Sequence, residues 1–188
     1  MLGWALGRSA QKAECGDATI LATSKRDACI LLTSAEIEAV QGEPVKEAKA
    51  AVQPNGGMQI SKCVFQTTNF SKSVSAALAM PSSSQSSAIT PRKFWQKQFH
   101  GLDMEKDESR VAGETAGKAE PEGEEEARKP RRIEGLGEEA YWVGTPITGA
   151  LYVLQGDNFV RISVGGVGEE SARIEKSKVL ARAAVKRL

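Results

Sequence analysis

The sequence predicts an α+β fold, in which two similar helix–hairpin–helix halves form an antiparallel sheet packed on helices as a two-layer sandwich. Two pairs of β-prone runs predict the hairpins: residues 58–68 with 73–80, and residues 151–154 with 159–164. Helical patterns at residues 91–102 and 169–188 follow these hairpins. A hairpin alone is marginally stable in water, so we expect the two to join edge to edge in one sheet of four or more strands, with both helices on its apolar face.

Composition divides the chain into segments of different character. We expect residues 1–26 to be a flexible leader, because they show no hydrophobic periodicity. Residues 27–102 and 133–188 would form the two halves of one combined domain that covers residues 27–188. The charged segment 103–132 between them has almost no large apolar side chain, so we interpret it as a solvated linker.

The linker contains a basic block, RKPRR at residues 128–132, of a composition typical of nucleic-acid or localisation patches. Three consecutive glutamates stand beside it at residues 124–126, so a self-neutralising linker is the favoured interpretation. The whole chain has 25 basic and 24 acidic residues and a formal charge of +1. That balance supplies no bulk field for nucleic acid or an anionic membrane, and we expect no nucleic-acid partner.

Helix start and stop signals frame the first helix. Thr33 and Glu36 have the spacing of a capping box, and Gly42 is typical of the position just beyond a helix end. Ile37 and Val40 lie on one helix face. With about two turns this helix is too short to be stable alone, so it must be held by packing.

The second hairpin has the clearest turn signal. Its connection, QGDN at residues 155–158, contains residues that tolerate positive φ angles. In the strand that follows, Val160, Ile162 and Val164 point to one face and give the sheet an apolar side. Acidic residues at the start of the helix at residues 169–188 and basic residues at its end match the helix dipole.

Large aromatic residues are the candidate anchors of the two halves. Trp95 belongs to an aromatic stripe in the helix that begins at Pro91, which indicates core packing more strongly than stacking on nucleic acid. Residues 138–142 predict one or two helical turns that carry Tyr141 and Trp142. We expect Trp142 to be buried against the sheet; the alternative is that Tyr141 and Trp142 form an exposed binding platform.

The three cysteines, Cys15, Cys29 and Cys63, leave two interpretations open. None forms a C-x-x-C pair, and His100 has no cysteine or second histidine close in sequence, so we expect no zinc site. From composition alone, Cys29 and Cys63 fit a disulfide and a pair of buried thiols in a reducing compartment equally well.

The amino-terminal residues lack the features of a complete export signal. The apolar run at residues 1–7 is short and no basic segment precedes it. Glu14 stands before Cys15, where a lipid-attachment site has a small uncharged residue. We therefore expect a membrane tether only if the true N-terminus lies upstream, and no apolar run approaches the about 20 residues that span a bilayer.

Two motifs carry a family resemblance. CILLTSAEI at residues 29–37 is similar to a C-x-L-L-T-x-A-E signature, and GLGEEAYW at residues 135–142 is similar to G-[LV]-G-[DE]-E-A-[FY]-W. Both signatures resemble those of small bacterial cell-envelope proteins and lipoproteins that contain a domain of unknown function. The resemblance implies a periplasmic or extracellular protein, lipid-anchored in some relatives, in which Cys29 pairs with Cys63. Without the disulfide a cytoplasmic location would follow.

No motif predicts a catalytic, cofactor or metal site. The glycine-rich residues 165–168 follow a strand and precede a helix, as in a phosphate-binding loop. Glu169 and Glu170 at that helix start would repel phosphate, so we interpret the glycines as a turn with positive φ angles.

Two functional hypotheses remain. The first is a non-enzymatic binding module whose uncovered sheet face takes a protein, lipid or glycan partner. The second is an enzyme with a dispersed active site, for instance His100 with a carboxylate and a serine. The surroundings of His100 distinguish them, because isolation at the surface would remove the enzyme hypothesis.

Overall fold

The computed structural model describes residues 27–55, 57–82, 89–101 and 129–188. In this part of the chain seven strands form one antiparallel sheet, in the order β1-β2-β3-β7-β6-β5-β4. The strands are β1 (Val45–Asn55), β2 (Met58–Thr67), β3 (Val74–Pro81), β4 (Arg131–Arg132), β5 (Glu139–Gly144), β6 (Gly149–Gln155) and β7 (Asn158–Val164). The expected leader and most of the expected linker lie outside the described residues.

Three helices accompany the sheet in the described part of the chain. Helix α1 spans Ser34–Gln41, helix α2 spans Pro91–Trp95 and continues as a π-helical turn over Gln96–His100, and helix α3 spans Glu170–Val185. Short 3₁₀ turns lie at Ala28–Ile30 and Phe70–Lys72.

The capping signals of α1 are confirmed. The Thr33 hydroxyl accepts a hydrogen bond from the Glu36 backbone amide, and the Glu36 carboxylate accepts one from the Thr33 amide. Gly42, with φ of 68°, ends the helix in the left-handed conformation. A helix of only eight residues therefore has both of its ends specified locally.

The α+β class and the joined hairpins are also confirmed. Strands β2 and β3 form the first hairpin and β6 and β7 the second. Strand β3 pairs with β7, for example Leu78 opposite Val160, so a single sheet contains strands from both halves of the chain.

The expected helix–hairpin–helix order of each half is not confirmed. The prediction of helical turns at residues 138–142 is wrong, because residues 139–142 lie in β5, where Ala140 and Trp142 are buried and their neighbours are less so. A segment this short cannot nucleate a helix alone. Its backbone N–H and C=O groups form hydrogen bonds with β6 instead.

Strands β1 and β4 have no counterpart among the predicted elements. Ten of the eleven residues of β1 are exposed, so the strand shows no alternation of apolar and polar residues. Strand β4 consists of Arg131 and Arg132, which end the expected linker and pair with β5. Such edge strands form because their backbones pair with a neighbouring strand, and their sequences show little hydrophobic periodicity.

The expected two-layer arrangement is wrong in one respect, since α2 and α3 lie on opposite faces of the sheet. Ile174 and Leu180 of α3 pack with Val160 and Ile162 in the larger core, to which α1 contributes as well. Trp95 of α2 packs with Leu154 and Phe159, which point the other way. Side chains alternate along a strand, so these two cores cover opposite faces.

The disulfide implied by the family resemblance is confirmed. Cys29 and Cys63 are bonded, with their Cα atoms 5.0 Å apart. The bond attaches the 3₁₀ turn before α1 to the middle of β2. Among the described residues, no helix is long and apolar enough to cross a membrane.

Trp142 is 2% exposed and lies in the larger core, in a strand and not in a helical turn. A Cβ added to Gly149 would come within 2.2 Å of its ring, so the hairpin backbone passes directly against the indole. The indole nitrogen donates to Glu170 Oε1 at 2.7 Å. Trp142 therefore joins β5 and β6 to the start of α3.

Candidate functional site

Two concave regions lie on the sheet face that carries α2. The first is a groove of about 440 Å³ over β2, β3, β7 and β6, which we call the open-face groove. The second is a pocket of about 450 Å³ beside the end of α2, which we call the histidine pocket. Helix α2 separates them, because Phe94 lines the groove whereas Trp95 and His100 line the pocket.

The open-face groove is mainly apolar. Its lining side chains are aliphatic or small (Ile60, Val64, Ala77, Ala79), aromatic (Phe94, Tyr152, Phe159), or basic (Lys62, Arg161), with Ser75 among them. The groove exists because α2 packs over only part of this face, and because the small side chain of Ala77 leaves space between its neighbours. None of the described lining residues is acidic.

Helix α2 forms the aromatic wall at one end of the groove. Phe94 stacks on Phe159 with ring centroids 5.7 Å apart, and Trp95 lies 5.9 Å from the same ring. Farther along α2, Phe99 stacks on Tyr141 at 4.6 Å. These contacts hold α2 on the sheet through aromatic packing, which adds to the stabilisation from buried area.

The histidine pocket is built around Glu139. Its Oε2 atom accepts a hydrogen bond from Trp95 Nε1 at 2.9 Å and contacts His100 Nε2 at 2.9 Å. Trp95 and His100 are five residues apart. A π-helical turn has i to i+5 hydrogen bonds and brings such residues to the same side of the helix, whereas 3.6 residues per turn would separate them.

The electrostatics of the pocket favour the ionised carboxylate. Burial raises the pKa of Glu139, but the hydrogen bonds from Trp95 and His100, with the attraction of His100 and Arg132, lower it more. The net pKa of Glu139 therefore lies below its ordinary value. The His100 side chain is 44% exposed and that of Glu139 is 29% exposed, so solvent reaches both.

A second carboxylate fixes the start of α2. Arg92 Nη2 donates to Glu138 Oε2 at 2.6 Å and to the Gly156 carbonyl at 2.8 Å. The Arg92 hydrogen bond and that of the Gly156 amide lower the pKa of Glu138. The adjacent residues Glu138 and Glu139 therefore hold the two ends of α2.

The structure brings together some of the sequence-derived candidates and separates others. Tyr141 and Trp95 lie on the α2 face, 5.9 Å apart between ring centroids, whereas Trp142 lies in the opposite core. Trp142 and Tyr141 therefore do not form one platform. His100 is not isolated, because Glu139 contacts it.

Sequence reasoning missed Lys62, Ala77 and Arg161 of the groove and Glu139 of the pocket. Alternation along the strands already places Lys62 with Ile60 and Arg161 with Phe159. The missing information was the pairing of β3 with β7, which brings these two sets onto one surface.

The glycine-rich segment after β7 is a turn, as expected. Gly166 and Gly168 have φ angles of 120° and 135°, which an L side chain rarely adopts. Gly165 lies so close to the backbone at Ser71 that an added Cβ would come within 2.3 Å of its carbonyl oxygen. Within the described residues, no group of three or more His, Cys, Asp or Glu side chains is placed to hold a metal ion.

No family model, no curated protein and no solved structure matches this chain.

Proposed function

We propose that this protein is a non-enzymatic binding module of the bacterial cell envelope, and that its open-face groove binds the chain of a single-chain lipid. The observation that supports this proposal is the apolar groove on the half of the sheet face that α2 leaves uncovered. At about 440 Å³ its volume falls in the range of small-molecule sites.

A lipid fits this lining better than the other partner classes. A glycan requires many hydrogen-bonding groups around its hydroxyls, whereas Ile60, Val64, Ala77 and Ala79 supply none from their side chains. Protein partners with a flat contact surface bind to planar or convex patches, whereas the surface of this groove is concave. Burial of an acyl chain stabilises the complex by about 0.8 kcal/mol for each CH₂ group removed from water.

Filling the groove tests the proposal. Ala77→Leu places a larger side chain in the floor of the groove, and we expect it to weaken binding of dodecanoate and of its neutral glycerol monoester at least tenfold in a fluorescence displacement assay. Ala50→Leu is the matched control, because Ala50 is exposed on the opposite face of β1. Failure of the unmodified protein to bind either lipid would overturn the proposed function.

The envelope location is supported by the Cys29–Cys63 disulfide, since disulfides persist in oxidising compartments. Alkylation of free thiols in intact cells before lysis tests it. We expect Cys29 and Cys63 to be protected from alkylation until a reductant is added. Immediate labelling of both would place the protein in a reducing compartment.

A second candidate function, the enzyme hypothesis, is favoured by the contact between His100 and Glu139. A carboxylate beside a histidine orients the ring and favours its action as a general base. No serine is among the described residues that line the histidine pocket, so water would be the nucleophile. Ester or phosphodiester hydrolysis that His100→Ala abolishes would establish this function; an unchanged rate in His100→Ala would eliminate it.

A further inference from the structure

Four residues form a row across the open face of the sheet. The strand register places Lys62 opposite Ala77, Ala77 opposite Arg161, and Arg161 opposite Tyr152. All four side chains lie on the same face, because directly paired residues in an antiparallel sheet point the same way. Neighbouring strands are about 4.8 Å apart, so the backbones of Lys62 and Arg161 are separated by roughly 10 Å with only a methyl group between them.

Both cations of this row lack an acidic partner among the described residues. Lys62 Nζ donates to the amide oxygen of Gln53 at 2.9 Å, and Arg161 Nε donates to the Tyr152 hydroxyl at 3.1 Å. The guanidinium also lies 5.8 Å from the centre of the Tyr152 ring. Elsewhere in the structure Arg92 and Arg187 each contact a carboxylate.

The Tyr152 contact positions Arg161 for an external anion. Only Nε of the guanidinium donates to a protein group among the described residues, so the two terminal nitrogens keep their donors available. The ring of Tyr152 restricts the guanidinium through a cation–π contact. A guanidinium ordered in this way loses less conformational entropy when it binds a planar anion.

The adjacent row of the sheet is apolar. Ile60 is opposite Ala79, and Ala79 is opposite Phe159, which stacks against Phe94 of α2. Residues two apart on one strand face lie roughly 7 Å from each other. A basic row therefore runs beside an apolar row, within the dimensions of one small amphiphile.

From this arrangement we infer that the ligand of the open-face groove has an anionic head group, which binds above Ala77 between Lys62 and Arg161. The inference rests on the proposed function and adds the ligand class, a long-chain carboxylate. The acyl chain lies against Ile60 and Phe94 toward α2, because Ala79 and Phe159 are already buried beneath these side chains. The charges of the protein and ligand are complementary, since the described lining of the groove has two cations and no acid.

The test compares dodecanoate with its neutral glycerol monoester, both below the concentrations at which they form micelles. We expect the unmodified chain to bind dodecanoate at least tenfold more tightly, and high salt to remove most of this difference. Lys62→Gln and Arg161→Gln should each weaken dodecanoate binding about tenfold and change binding of the neutral ester by less than about twofold.

Two controls separate charge from folding. Lys178→Gln makes the same change in net charge on α3, on the opposite face, and should leave both affinities unchanged. Arg161→Lys retains the charge and should keep most of the preference for dodecanoate even if the Tyr152 contact is lost. Equal affinities for the two lipids, unaffected by the glutamine variants, would overturn the anionic head group while the proposed function stands. Absence of binding of both lipids would overturn both.

Discussion

The sheet face under α1 and α3 has a core of 22 buried residues, whereas the face under α2 has a core of 6 among the described residues. Most residues of the larger core are aliphatic, whereas half of those in the smaller core are aromatic, among them Trp95 and Phe99. Buried apolar area sets most of the stability of a fold. The α1 and α3 face therefore contributes more to the stability of the fold than the α2 face does.

The polar contacts also differ between the two faces, because those of the α1 and α3 face include a buried side chain and those of α2 are partly exposed. On the larger side, the buried side chain of Gln41 donates to the backbone carbonyls of Lys72 and Gly165 and accepts from Lys176, which joins α1, two loops and α3. On the smaller side, the contacts of α2 with Glu138 and Glu139 are partly exposed. Partly exposed ion pairs contribute little to global stability. The groove of the α2 face, which we propose as the binding site, therefore lies on a sheet whose stability comes mainly from its other side.

Among the changes considered, Trp142→Ala should have the largest effect on the stability of the fold. We expect it to lower the free energy of unfolding by about 3–5 kcal/mol, because the ring fills the larger core and Glu170 loses its indole donor. Trp95→Ala removes a similar ring from the smaller core and should cost less global stability, since the sheet and α3 remain folded when α2 detaches. Chemical denaturation of both variants measures the difference; equal losses would show that the two faces unfold as one unit.

Removal of the disulfide comes next. The bond joins residues 34 apart in sequence, and on the chain-entropy model we expect the Cys29→Ala/Cys63→Ala double variant to lose roughly 3–4 kcal/mol. Thermal melting of the double variant, compared with the unmodified protein with and without reductant, measures this loss. A melting temperature that is the same in all three samples would contradict it.

Glu139→Gln should affect the α2 face alone. The neutral amide weakens the contacts with Trp95 and His100, and we expect the free energy of opening of α2 to fall by about 1–2 kcal/mol. Global stability should change by less than about 1 kcal/mol, because the larger core is untouched. Hydrogen exchange of the α2 amides, measured beside those of α3, tests this; equal acceleration in both helices would contradict local opening.

The smallest expected effect on stability is the pH dependence of the contact between Glu36 of α1 and Arg187, which follows α3. The hydrogen bond from Arg187 lowers the pKa of Glu36 from 4.5 to about 2, against the opposing effect of burial. Since the folded-state pKa is depressed, this stabilisation is present above pH 4.5 and is lost as the pH falls toward 2. Both side chains are about one-third exposed, so solvent screening reduces the contribution to about 1 kcal/mol.

Glu36→Gln tests this contribution. We expect the variant to have a smaller decrease in stability than the unmodified protein as the pH falls from 5 toward 2, and Glu175→Gln, which changes the more exposed carboxylate that pairs with Lys178, serves as the control. Parallel stability curves for Glu36→Gln and the unmodified protein would show that Glu36 does not contribute.

Elements whose sequence contains a local capping or turn motif were predicted correctly. The capping box of Thr33 and Glu36 and the left-handed Gly42 depend on residues within one turn of each other, so the sequence contains the whole motif. The turn of the second hairpin, with Gly156 at φ of 59°, is specified in the same way. The two strands that flank this turn were predictable because β-prone residues continue along each side of it.

Elements without such a local motif could be assigned only once the strand that pairs with them was known. The segment that became β5 has helix-compatible residues, and only pairing with β6 and burial of Trp142 select the strand. The proposed binding surface also depends on strand pairing. Lys62 and Arg161 are 99 positions apart in the numbering of the chain, and the β2–β3 and β3–β7 pairings place them on either side of Ala77.

The sequence by itself determined the class of the fold, the hairpins and the caps of α1, because each depends on short-range patterning, whereas it left the Cys29–Cys63 pairing open until the resemblance implied it. Tertiary structure alone decided which helix covers which face, and therefore which part of the sheet the described helices leave uncovered. That choice depends on both faces of β7, since Phe159 packs under α2 and Val160 under α3. A strand with apolar residues on both faces accepts a helix on either side, and only the packing of the whole chain determines which helix takes which side.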